Sequence, residues 1–111
     1  MNKKIRVLIM RPGEDAKEMW IYPTHDVLTD LVGGEITMRN PMDDGTAIIC
    51  KDTVDVDEEP SRYLRNGRGQ IVTRFYGTIV VSGVFMKAGE LDSLTDEEVE
   101  MATQRLERAE I

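Results

Sequence analysis

Aromatic side chains are scarce in this chain of 111 residues: two Phe, three Tyr and one Trp, 5% in all. So few rings argue against a stacking platform for single-stranded nucleic acid. There is one cysteine, Cys50, which excludes an intramolecular disulfide and points to a reducing compartment. With that one cysteine and one histidine, His25, a structural zinc site lacks its nitrogen and sulfur ligands. No apolar run is long enough to span a bilayer. The first one, from Ile5 to Met10, is stopped by Arg11-Pro12 and has no small-residue cleavage site after it, so no signal peptide is expected. These absences predict a cytoplasmic protein without a membrane partner.

What is present is a globular composition. Apolar residues make up 41%, and seven methionines join the aliphatics to fill the core. The length suits a single domain over 1–111. Fourteen basic residues face 21 acidic ones, a net charge of −7. That balance keeps a chain dissolved and makes direct nucleic-acid binding unexpected. It also suits a protein that meets a basic partner surface.

The organising stretch is Gly77-Thr78-Ile79-Val80-Val81-Ser82-Gly83. Its apolar residues occupy both parities, which predicts a strand buried on both faces in the centre of a sheet. Ile5–Met10 reads as the first strand and Met19–Tyr22 as its hairpin partner, an edge strand on which a second copy could pair. Thr24 caps a helix carrying Val27, Leu28, Leu31 and Val32, and Gly33 suits its left-handed stop. Glu35–Arg39 alternates, with Ile36 and Met38 expected to face inward. Asp44-Gly45 signals a hairpin into Thr46–Lys51. No period is visible from Asp52 to Gln70, which reads as a long loop. Ile71–Tyr76 is extended. Thr95 and Glu98 form a capping box for a C-terminal helix whose stripe is Val99, Ala102, Leu106 and Ala109. The fold expected is α+β: a mainly antiparallel sheet of about five strands with two helices on one face.

The chemistry is sparse. Cys50 sits in an apolar run, the setting of an inert thiol, and His25 at the front of a helix. The acidic run Asp52–Glu59 lacks the glycine-bent frame of a calcium loop. No metal, cofactor or catalytic constellation is expected, and the chain reads as no enzyme. One stretch stands out. Ser61–Gly69 holds Arg62, Tyr63, Arg65, Asn66 and Arg68 among glycines, and guanidinium forks match phosphate or carboxylate. Two readings compete: an anion site for a nucleotide-like ligand, or arginines paired with the neighbouring Asp57–Glu59.

The order of Leu31-Val32-Gly33-Gly34-Glu35-Ile36, Ile48-Ile49-Cys50, Pro60-Ser61-Arg62, the central strand, Gly89-Glu90 and Ser93-Leu94-Thr95-Asp96-Glu97-Glu98 resembles domain of unknown function 3846 over nearly the whole chain. That family occurs in phages and bacterial mobile elements. Its pattern usually reads Asn-Arg after the proline, so Ser61 departs from it and Arg62 matches. The resemblance implies an accessory protein that binds a host protein, counter-defence included, in the host cytoplasm.

Overall fold

The computed structural model describes residues 3–39, 45–85 and 90–109. Its elements run β1 (Ile5–Met10), β2 (Lys17–Ile21), α1 (His25–Val32), β3 (Ile36–Arg39), β4 (Thr46–Lys51), β5 (Pro60–Arg65), β6 (Ile71–Tyr76), β7 (Ile79–Phe85), β8 (Glu90–Asp92), α2 (Asp96–Arg105) and β9 (Leu106–Arg108).

β7 is the central strand. It lies between β1 and β4 in a sheet ordered β2-β1-β7-β4-β3, and β8 adds a further partner along its far end. Ile79, Val80 and Val81 are completely buried, as a strand apolar on both parities must be. A second sheet of three strands runs β6-β5-β9. The expected single sheet of about five strands is therefore replaced by six strands and three. All the pairings are antiparallel.

Alternation along the strands divides the core in two. Ile5, Val7, Ile9, Ile49 and Val80 cluster with Leu28 and Val32 of α1. Leu8, Met10, Ile48, Cys50, Ile79 and Val81, of the other parity, cluster with Leu64 and Phe75 of the small sheet and Ala102 of α2. Successive strand residues point to opposite faces, so the two helices serve opposite faces of the large sheet, not one. α1 covers one face alone. The small sheet and α2 share the other.

Both helices begin as the sequence dictates. Thr24 Oγ1 accepts from Val27 N at 3.2 Å, and Gly33 closes α1 at φ 92°. Thr95 and Glu98 complete the capping box, with Glu98 N to Thr95 Oγ1 at 3.1 Å and Thr95 N to Glu98 Oε1 at 2.9 Å. The end of α2 differs from expectation. The helix stops at Arg105, and Leu106–Arg108 turns extended to pair with β5. Leu106 and Ala109 are buried, but through the sheet and not through a helical stripe. An edge of β5 was open there, and ladder hydrogen bonds won over helical periodicity.

Two further expectations change. Residues 52–70 are not one loop, because β5 occupies Pro60–Arg65. Met38 shares the α1-side face with its register partner Ile49, as expected, yet is 51% exposed, since β3 is the outermost described strand of its sheet. The predicted turn at 40–44 falls outside the described residues; Gly45, at its end, has φ +86°.

One contact network ties the beginning of the fold to its end. Arg6 N donates to Ser93 Oγ at 2.9 Å, and Leu94 N donates to Arg6 O at 3.0 Å. The Arg6 guanidinium reaches Leu94 O at 2.7 and 3.0 Å and Asp96 Oδ1 at 2.8 Å. Beside this clamp Gly83 leaves no room for a side chain: a Cβ there would lie 2.9 Å from Ser93 O.

Candidate functional site

Of the five residues expected to form an anion site, Arg65 and Asn66 line one concavity and Arg62 a neighbouring one. Along β5, Arg62 stands in register with Phe75 and Arg108, and Leu64 with Thr73 and Leu106. These positions face inward, and Tyr63, paired with Arg74 and Glu107, faces the other way. Arg62 is 2% exposed. It donates to Ser61 O at 3.0 Å and to Glu14 O, fastening the β1–β2 loop onto the small sheet. Burial lowers its pKa below the ordinary arginine value, the nearby Arg108 adds to this, and Asp15 opposes it. An inward arginine also explains why β5 showed no period: the face that should read apolar reads Arg-Leu.

Arg65 Nε donates to Glu107 Oε2 at 2.5 Å and its NH1 to Gly69 O at 2.6 Å. Asn66 organises the β5–β6 turn. Its Oδ1 accepts from Arg68 N at 2.9 Å and Gln70 N at 3.0 Å, and Gly69 takes φ +78°. The Arg68 side chain lies on the exposed turn. Tyr63 is half-buried with the Arg74 guanidinium 6.0 Å from its ring centroid. Pairing with the acidic run is not observed either: in that run Glu58 binds Lys51 at 2.6 Å, and Arg65 has taken Glu107 instead. Ser61, at the departure from the family pattern, is buried and donates to Gly77 O at 2.7 Å and Phe75 O at 3.3 Å.

What the structure brings together is a different set. A concavity of about 350 Å³ is lined by Arg65, Asn66, Gly67, Gln104, Arg105 and Glu107. A neighbouring one of about 390 Å³ shares Gln104 and Glu107 and adds Asp15, Arg62 and Arg108. Arg108 binds Asp15 at 3.1 Å. Arg105 makes no ion pair among the described residues. Some forty residues separate these two halves, and no spacing rule connects them; only the β5–β9 pairing does.

A second surface lies on β2, the outer strand of the large sheet. Trp20 is 59% exposed and Tyr22 45%. Tyr22 lies just past the end of β2, with Lys4 Nζ 5.4 Å from its ring centroid. Cys50 is buried, and burial raises its thiol pKa, with Asp52 adding and Arg39 opposing. His25 is exposed on α1, on the opposite face of the sheet from Cys50. Among the described residues there is no group of three or more metal-ligating side chains, and no helix is long and apolar enough to cross a membrane.

The model of the family described as "Domain of unknown function (DUF3846)" matches residues 5–107. No curated protein and no solved structure matches the chain.

Proposed function

This chain belongs to the DUF3846 family, and we propose that it is a non-catalytic accessory protein of phages or mobile elements that binds a host protein in the cytoplasm through β2. The observation that carries the reading is Trp20. A chain with a single tryptophan leaves it 59% exposed, near Tyr22, on the outermost described strand of its main sheet. Tryptophan and tyrosine are the residues most enriched among binding hot spots. Covering the exposed part of the indole is worth about 3 kcal/mol of apolar burial. An open strand edge supplies main-chain partners to an extended segment of another protein. The net charge of −7 selects a partner whose surface around that segment is basic.

The test is capture from host lysate on immobilised wild type, Trp20→Ala and Tyr22→Ala, with the melting temperature of each variant measured alongside. A protein retained by wild type and lost in a normally folded Trp20→Ala supports the reading, and its purified form should shift Trp20 emission to the blue. Equal retention by wild type and both variants, or no retention by any, rejects it. A captured second copy of the chain would make β2 a homodimer edge instead.

A further inference from the structure

We infer that Asn66-Gly67 in the β5–β6 turn is a self-modification site, at which the fold promotes conversion of the Asn66 carboxamide to a succinimide and on to isoaspartate. The chain has three asparagines, and only Asn66 precedes a glycine. A glycine puts no side chain beside its own nitrogen, so that nitrogen can approach the carboxamide carbon of the residue before it. Gly67 is exposed, and open space stands where a Cβ would be. Its N–H makes no hydrogen bond among the described residues. The nucleophile is therefore accessible and free to give its proton to water. Any exposed Asn-Gly pair offers that much. The turn adds an activated electrophile.

Asn66 is fixed through both its main chain and its side chain. Its N–H donates to Gln70 O at 2.9 Å, and its carbonyl accepts from Gly69 N at 3.0 Å. Its Nδ2 donates to Gln70 Oε1 at 3.0 Å, and its Oδ1 accepts from Arg68 N at 2.9 Å and Gln70 N at 3.0 Å. The bond from Arg68 N curls the side chain back over Gly67 and holds Cγ beside the Gly67 nitrogen. Both N–H groups point at the oxygen on which negative charge builds as Cγ becomes tetrahedral, the arrangement of an oxyanion hole. The step balances with water as its one co-reactant. The Gly67 nitrogen bonds to Cγ and its proton passes to water. The Cγ–Nδ2 bond breaks, and Nδ2 takes a proton from water and leaves as ammonia. Water then opens the succinimide, at Cγ to give aspartate or at the main-chain carbonyl to give isoaspartate. Isoaspartate carries an extra methylene in the main chain and draws the side-chain oxygen away from Arg68 N and Gln70 N. The same turn supplies Gly69 O, on which Arg65 rests at 2.6 Å while it pairs with Glu107. Modification at residue 66 therefore loosens the tie between β5 and β9.

The experiment incubates the full chain at neutral pH, native and in concentrated guanidinium chloride at one temperature. Released ammonia gives the rate, and peptide mapping gives the position and the isoaspartate content. The native chain is expected to modify Asn66 about tenfold or more faster than the unfolded chain, the effect of oxygen-directed donors held in place. Gly67→Ala is the control. Gly67 does not take a positive φ and a Cβ there meets nothing within 4 Å, so this variant should fold normally and lose most of the modification. Wild type aged until residue 66 is modified should melt about 5 °C below fresh protein, and Gly67→Ala aged alongside should melt unchanged. A native rate equal to or below the unfolded rate would overturn the inference, because the dipeptide alone would then account for the chemistry. Ammonia release that maps to Asn2 or Asn40, or that persists undiminished in Gly67→Ala, would overturn it as well. A modified sample that melts like fresh protein would refute the loosening of β5 from β9.

Discussion

Replacing Arg62 separates packing from polar bonding at the most enclosed charge of the fold. Arg62 is 2% exposed and gives hydrogen bonds to Ser61 O and Glu14 O. Bonds from a charged donor are worth about 1.5–3 kcal/mol each. Against them stands the cost of taking a guanidinium out of water, itself several kcal/mol. The two nearly cancel and leave about 1 kcal/mol of net polar stabilisation. Neither acceptor is stranded by the change: Ser61 O also accepts from Ala109 N at 3.0 Å, and Glu14 is exposed and open to water. The apolar stem is different. Alanine keeps Cβ and loses two methylenes, which at about 0.8 kcal/mol each contribute about 1.6 kcal/mol when buried. Arg62→Ala should therefore cost about 3 kcal/mol, lowering the melting temperature by about 15 °C, and Arg62→Met, which refills the volume, about 1 kcal/mol. Urea unfolding followed by far-ultraviolet circular dichroism measures both. If methionine proves as damaging as alanine, the polar bonds dominate and bonding and desolvation do not cancel. If alanine is within about 0.5 kcal/mol of wild type, Arg62 does not anchor the loop at all.

Two other predictions test single atoms. Ser82 is fully buried in β7 and its Oγ has no hydrogen-bond partner among the described residues, so Ser82→Ala removes an uncompensated polar group. It should leave stability unchanged or raise it by up to about 1 kcal/mol, and a clear destabilisation in urea melts would mean that the hydroxyl is bonded. Cys50, buried with its pKa raised chiefly by that burial, should resist a thiol reagent until the chain unfolds. Its native form holds the proton more tightly than the unfolded chain. The associated stability is complete below the unfolded thiol's pKa of about 8.5 and declines as pH rises from there toward the native value. Cys50→Ala should flatten that alkaline decline.

How far the sequence carried depends on which side chains face inward. β1, β7, the caps of α1 and the capping box of α2 follow from local chemistry: a two-parity apolar run, Thr24 with Gly33, Thr95 with Glu98. β5 was hidden because its core face carries Arg62, and the pattern that marks strands is apolar. The end of α2 was hidden because Leu106 and Ala109 fit a helical stripe as well as they fit β9, and the open edge of β5 decided between them. The arginine segment stands out in the sequence, yet its partners were not readable. Asp57–Glu59 lay close in sequence, but Arg65 pairs with Glu107, 42 residues away. Proximity in sequence is a poor guide to ion pairing when a strand pairing can fold distant residues together.

The Arg6 clamp also sets the order in which the chain can mature. Its bonds reach Ser93, Leu94 and Asp96, sequence separations of 87, 88 and 90 residues. Local hairpins such as β1–β2 and β5–β6 can close early, but contacts this distant wait on loop closure and slow the final step. During synthesis at typical rates, roughly ten seconds pass between the appearance of Arg6 and that of its partners. For most of that interval, until β7 emerges at Ile79–Phe85, β1 has β2 on one side and no strand on the other. The nascent chain is then most exposed to faulty strand pairing; β7 ends that exposure, and residues 93–96 fasten the finished sheet when they bind Arg6.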